Sequence, residues 1–398
     1  MTRGAYLAMV ALLVFTMGTS IITPLLPLYA GQFHLSNGTL TLLFATYTAT
    51  VVPTMLVAGS ASDRLGRKRV LLPAMLVLTC ASLVFAFTES VSMLFVGRVL
   101  QGLAVGMFLG VGTAFVVDHA IPAKRALAAM AAGAFFRLGF GLGPGMAGLV
   151  AQYWGDPIHR PFEVHLVLLA VGIGCVILAS ETVPRRRYKF EIRVGVPKGQ
   201  MRGFAGFMAP AAFTMSFMEG TVLSIVPLYL YDTLGERNVA IAGLCGFLVL
   251  GLGGMTPLVT RNVAPRMAVM IGLGVSAVVT WLIALAAVGG SALLVVVAAG
   301  IIGFVNGMIL QGATVICSTV VPLQERGKLL SSLYMCAYAG TVPAVGLGYL
   351  SLSIGLTATL VVFSIASCVL AAWVIVFGRR LFPRVIPYEE HVAIPSAS

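Results

Sequence analysis

Charge is scarce in this chain. Only 10% of its 398 residues are Asp, Glu, Lys or Arg, where a soluble domain carries about 25%. The shortage falls hardest on acids, with 13 Asp and Glu against 25 Lys and Arg. A water-soluble globular domain is therefore excluded, and a hydrophobic share of 59% with mean hydropathy +1.02 points to an integral membrane protein. Catalytic patterns are missing as well. No P-loop is present, so ATP is not the energy source. There is no acidic Mg²⁺ cluster, no zinc-type His-x3-His spacing and no Gly-x-Ser-x-Gly elbow, which argues against a membrane-embedded enzyme. The six cysteines (Cys80, Cys175, Cys245, Cys317, Cys336, Cys368) show neither a pairing pattern nor metal spacing and read as small packing residues. No metal and no cofactor is expected.

Long apolar runs fill the rest. About 20 apolar residues cross a bilayer as a helix, and the runs predict twelve spans, near 5–30, 38–60, 71–88, 92–117, 126–152, 162–181, 204–230, 239–260, 267–288, 291–317, 328–351 and 355–378. The runs are continuous rather than alternating, which disfavours a β-barrel. The first is too long for a signal-peptide core and lacks a convincing cleavage site. With the N-terminus inside, all the Lys and Arg except Arg98, Arg137, Arg160 and Arg237 fall in cytoplasmic loops or tails. The net charge of +12 thus reports orientation by the positive-inside rule rather than a nucleic-acid partner.

Landmarks recur about 200 residues apart. Pro27-Leu-Tyr29 returns as Pro227-Leu-Tyr229, Pro122 as Pro322, and Pro144 nearly as Pro343. So long a period is a duplicated domain, not a solenoid repeat. The predicted organisation is an N-terminal six-helix bundle at 1–181, a basic cytoplasmic linker at 182–203, a C-terminal bundle at 204–378 and a cytoplasmic tail at 379–398. Parallel repeats of this kind suit alternating access to a site near the midplane.

Between spans 2 and 3 stands Gly59-Ser-Ala-Ser-Asp-Arg-Leu-Gly-Arg-Lys-Arg-Val-Leu71, a cationic loop with one acid, Asp63. Its counterpart, Thr260-Arg-Asn-Val-Ala-Pro-Arg266, lacks the acid and both glycines, so the loop is not a product of the repeat. Span 4 carries Leu94-x3-Arg98-x2-Gln101-Gly102, and Gly102, Gly106 and Gly110 form a ridge for close helix packing. Span 5 carries Gly139-x3-Gly143-Pro144-x2-Ala147-Gly148, in which Pro144 kinks the helix, and span 1 carries Gly18-x5-Pro24-x2-Pro27.

These motifs resemble those of the major facilitator superfamily, with Ala61 departing from the usual Leu in the loop and Ala147-Gly148 from the usual glycine pair in span 5. The resemblance implies an all-α fold of twelve transmembrane helices in two pseudo-symmetric bundles. It also implies a cytoplasmic gate of Gly59, Asp63, Arg64, Gly66, Arg67 and Asp118, in which Asp63 meets the start of span 11 and Arg67 sits between Asp63 and Asp118. Arg98 is linked to proton coupling in that family; an arginine snorkelling to the outer interface is the alternative. The span 5 motif (Gly139, Gly143, Pro144, Gly148) resembles that of the drug and metabolite antiporters, while a plain packing face would explain its glycines alone.

Only Arg98, Arg137 and Glu219 are ionisable and well inside spans, and such groups are candidate functional sites. Burial favours the neutral form of a carboxylic acid and a nearby cation the charged form. Glu219 is accordingly the candidate proton carrier, with a fixed pair to Arg137 as the alternative. Met17, Tyr47, Met107, Phe108, Met215, Phe217, Asn306 and Gln311 are candidate cavity residues, adaptable surfaces for apolar ligands or hydrogen-bonding groups. Glu163 and His165 near the outer end of span 6 read as interface residues. The expected function is proton-coupled antiport, exporting hydrophobic or amphipathic small molecules across the bacterial inner membrane. The expected partners are the substrate, protons and the lipid bilayer, with no nucleic acid; both termini are cytoplasmic and the chain is a monomer. An exporter of one metabolite, siderophore or lipid, and a transport-dead receptor or scaffold, remain open.

Overall fold

The structure, a computed structural model, describes residues 1–183, 194–260 and 262–378, without the side chains of residues 59, 60, 63, 258, 323 and 324. Most of the expected linker, the C-terminal tail, Arg261 and the side chain of Asp63 therefore lie outside the described residues, as does the surface of Gly59. Among the described residues there is no strand. Among the described residues, nine helices are long and apolar enough to cross a membrane. Two shorter apolar helices, Arg3–Met17 and Val239–Gly254, and the double length of Glu325–Gly378 bring the number of spans to twelve.

The breaks within spans sit where the sequence removes backbone hydrogen bonds or side chains. Span 1 runs from Arg3 to Met17, loosens, passes through a 3-10 turn at Thr23–Leu25 and resumes at Leu26–Phe33. Pro24 and Pro27 stand in the first turn of the two later pieces, where a missing N–H costs least. Span 8 is helical over Val239–Gly251, tightens to 3-10 at Leu252–Gly254 and ends in Thr256–Val259. Spans 11 and 12 meet at Gly355, whose φ of +79° only glycine adopts without strain.

The glycine motifs divide their work. On span 5, Gly139 and Gly143 face span 1, where any Cβ would run into the backbone at Leu13 and Met17. Gly148 faces the other way: a Cβ there would come 2.8 Å from the Cα of Gly243 on span 8. Pro144 packs against Gly243 and Gly246. This motif is therefore where the first bundle presses on the second. On span 4, Gly102 and Gly106 let span 2 approach, a Cβ on Gly106 falling 2.7 Å from the Val51 carbonyl oxygen. Gly110 has open space around it and does not belong to that ridge.

His165 is a correction. It is buried inside the first bundle, with Nε2 3.1 Å from the Val14 carbonyl and Nδ1 3.0 Å from Ser82 Oγ. A carbonyl only accepts, so Nε2 donates to it and Nδ1 accepts from the hydroxyl. Glycine at position 18 leaves room for the ring. All six cysteines are free.

Candidate functional site

A cavity lies between the two bundles, with about 990 Å³ of empty space including its open mouth. Its walls are largely apolar and aromatic, with Phe44, Phe136, Phe140, Met215, Leu223 and Leu310 among them. Three charged side chains break that surface: Arg98 from span 4, Arg137 from span 5 and Glu219 from span 7.

Arg98 does not reach an interface. It is only 1% exposed, and its donors are turned inward. Nε donates to the Leu43 carbonyl at 3.2 Å, and Nη1 to Gln101 Oε1 at 3.1 Å and, at the limit, to the Thr19 carbonyl at 3.5 Å. Gln101 in turn donates to the Gly18 carbonyl at 2.8 Å. The carbonyls of residues 18 and 19 are available because span 1 loses its regular helix there. The guanidinium also lies over Tyr47 and Phe44, 5.3 and 5.4 Å from their ring centres. Its Nη2 has no hydrogen-bond partner among the described residues.

Glu219 and Arg137 line the same cavity near enough to interact electrostatically, yet no ion pair joins them. Arg137 instead lies against span 8, Nη1 reaching toward the Leu250 carbonyl at 3.5 Å. A Cβ on Gly253 would fall 2.5 Å from that nitrogen, so the glycine break in span 8 makes room for the guanidinium. The Glu219 carboxylate makes no hydrogen bond to a described residue.

Of the other candidates, Tyr47 and Met215 line the cavity. The rest stand elsewhere. Phe108 stacks on Phe15 inside the first bundle with ring centres 3.7 Å apart, and Met107 packs on the same core. Phe217 packs edge-on against Phe363 in the second. Asn306 accepts from Ser276 at 3.3 Å between spans 9 and 10, and Gln311 accepts from Thr260 at 3.1 Å. Met17 is buried where its backbone meets Gly143. Sequence reasoning missed Tyr334 and Tyr338 of span 11 and the aromatic pair Phe136 and Phe140 of span 5. Both pairs are four residues apart, so each shares one helix face; that spacing was the available signal.

At the basic end, Arg67 Nε is 3.1 Å from Asp118 Oδ2, and Nη1 donates to Ser62 Oγ at 2.7 Å. Glu181, just past span 6, was not foreseen. Its carboxylate accepts from the backbone N–H groups of Arg67 at 2.9 Å and Lys68 at 3.0 Å, capping the start of span 3. Lys68 Nζ returns the contact, donating to the Ile177 and Ala179 carbonyls at 2.8 Å at the end of span 6. Gly66, at φ +107°, lets the chain turn tightly against Glu181. Arg64 is exposed. At the opposite end the bundles are tied by Asn37 Nδ2 to Ser351 Oγ at 3.1 Å and by the Val239 N–H to Gln152 Oε1 at 2.8 Å.

The family model described as the Major Facilitator Superfamily matches residues 8–345. The chain belongs to the Major Facilitator Superfamily. Multidrug resistance protein 2 of Bacillus subtilis (strain 168) is 30% identical over 42% of this chain and 41% of its own length. Multidrug resistance protein 1 of the same organism is 27% identical over 50% of this chain and 49% of its own. The matched region thus spans about half the length of those curated relatives. A crystal structure of a POT family transporter in complex with 5-aminolevulinic acid superposes with a TM-score of 0.78 at 12% identity, covering 95% of this chain and 96% of that one. At that identity the likeness is one of superfamily fold.

Proposed function

We propose that the chain is a proton-coupled antiporter that exports hydrophobic or amphipathic small molecules by alternating access. The basic end faces the cytoplasm of a bacterial cell, with both termini on that side of the inner membrane. The observation that carries this reading is Glu219, a carboxylate in an apolar cavity between two bundles with no ion pair to hold it. Such an acid takes a proton from one side and gives it up when a hydrogen-bond donor or cation from the substrate arrives. Proton and substrate then exclude one another at one group, which is what antiport requires.

The surroundings support the same mechanism. Arg137, spanning the junction of spans 5 and 8, is placed to sense whether Glu219 is charged and lies on the irregular turn of span 8. Arg67, Asp118 and Glu181 hold the basic end of the first bundle together. Multidrug resistance proteins among the relatives favour export of varied apolar molecules. In proteoliposomes with an imposed pH gradient, lipophilic test compounds are expected to move against the proton flux. A gradient that decays no faster when they are added contradicts the proposal.

A further inference from the structure

Span 1 opens earlier than its prolines require. Pro24 has no N–H, which in a continuous helix strands the carbonyl of Ser20, and Pro27 strands that of Thr23. Neither accounts for the carbonyls of Gly18 and Thr19. These are the two that accept from Gln101 Nε2 at 2.8 Å and from Arg98 Nη1 at 3.5 Å. An unbroken α-helix would commit them to the N–H groups of Ile22 and Thr23. Here the Thr23 N–H goes to the Ser20 carbonyl at 3.1 Å instead, and residues 18–22 form turns rather than helix.

The cause comes from span 6. The Val14 carbonyl, which the Gly18 N–H would take in a continuing helix, accepts from His165 Nε2 at 3.1 Å. The regular helix accordingly ends at Met17, with the Gly18 N–H directed to the Thr16 carbonyl. A Cβ at position 18 would overlap Cε1 of the ring, so glycine is what admits His165 to this place. Ser82 of span 3 donates to Nδ1 at 3.0 Å, which fixes the tautomer with its proton on Nε2. His165 is buried and is not part of the cavity wall. The turn it holds open nevertheless anchors that wall twice. Its carbonyls hold Arg98 and Gln101, and Ser20 Oγ donates to the Phe140 carbonyl of span 5 at 2.6 Å. Arg98 and Phe140 both line the cavity.

We infer that His165 is a positioning residue for Arg98. By holding the Val14 carbonyl it keeps span 1 open at residues 18–22, and the carbonyls left free there fix Gln101 and Arg98 at the cavity. The effect on transport rests on the proposed antiport; the effect on span 1 does not.

Two variants separate the two bonds of the ring. His165→Gln puts an amide N–H near the Nε2 position and keeps the bond to Val14. His165→Asn is too short to reach Val14 but keeps an acceptor for Ser82. Proton flux driven by tetraphenylphosphonium is measured with the full chain in proteoliposomes. It is expected to fall about tenfold in His165→Asn, the effect of buried donors losing their acceptors, and to be retained in His165→Gln. Hydrogen–deuterium exchange over residues 18–22 is expected to slow in His165→Asn, as the Gly18 N–H takes back the Val14 carbonyl, and to match the unmodified chain in His165→Gln. A ring that served only packing would predict the reverse, faster exchange in a loosened bundle. Flux lost equally in both variants overturns the inference, as does undiminished flux in His165→Asn or exchange that does not slow there. Should His165→Asn not fold, His165→Gln decides: retained flux and exchange support the positioning role, and loss of either contradicts it. If the unmodified chain shows no flux with this probe, the exchange measurement decides by itself, whatever becomes of the antiport reading.

Discussion

Single residues at the basic end act through backbone groups more than through ion pairs. The Arg67–Asp118 pair is partly exposed, and such pairs contribute about 0–1 kcal/mol. Glu181 does more for its charge because it receives two N–H groups at the start of a helix, where a negative charge is favoured. Glu181→Gln is expected to lower the unfolding midpoint in detergent slightly, by the equivalent of about 1 kcal/mol or less given its exposure. A larger effect should appear in labelling: a cysteine placed at the Arg67 end should become more accessible as the turn at Gly66 loosens. Unchanged labelling would contradict the capping role. The acid at 181 was legible only as one carboxylate beyond a span. Nothing in the sequence said that the end of span 6 would sit against the start of span 3, a contact set by packing across more than 100 residues.

At the scale of helices, glycine placement decides which faces meet. Gly148 is pressed against Gly243, while Gly110, also within a glycine ridge by sequence, meets nothing. The two should respond with opposite sign. Gly148→Leu is expected to destabilise by about 1–3 kcal/mol, the usual cost of overpacking a tight contact. Gly110→Ala should be neutral or stabilising by up to about 1 kcal/mol, since alanine restricts the unfolded chain and suits a helix better. Thermal unfolding of the two purified variants checks both, and equal losses would contradict the assignment of faces. The same comparison shows why the spans were legible and their orientations were not. Hydropathy marked each span, and Pro24 and Pro27 marked the break in span 1, while the break at Leu252–Gly254 in span 8 was not foreseen. A helix that is apolar all round has no moment to say which way it turns. Phe108 and Tyr47 therefore looked alike in sequence, although one stacks on Phe15 in a bundle core and the other lines the cavity.

For the whole molecule, the proposed transport requires the two bundles to rock about their shared cavity. At the end opposite Arg67 they are joined by contacts between spans 2 and 11, among them Asn37 to Ser351. Cysteines at these two positions, in a background without the native six, should form a disulfide on oxidation and stop transport, with reduction restoring it. Cross-linked protein that still transports would contradict the rocking motion. The cavity's charged groups were legible because ionisable residues are so rare in these spans, whereas its aromatic lining depended on how span 11 turns. The most direct test is proton movement through Glu219. Protein reconstituted with a pH-sensitive dye inside the vesicles is given an imposed gradient and an amphipathic substrate. The unmodified chain should dissipate the gradient in step with substrate movement, and Glu219→Gln should move no protons in exchange for substrate. Substrate-driven proton flux that survives Glu219→Gln undiminished would contradict the mechanism.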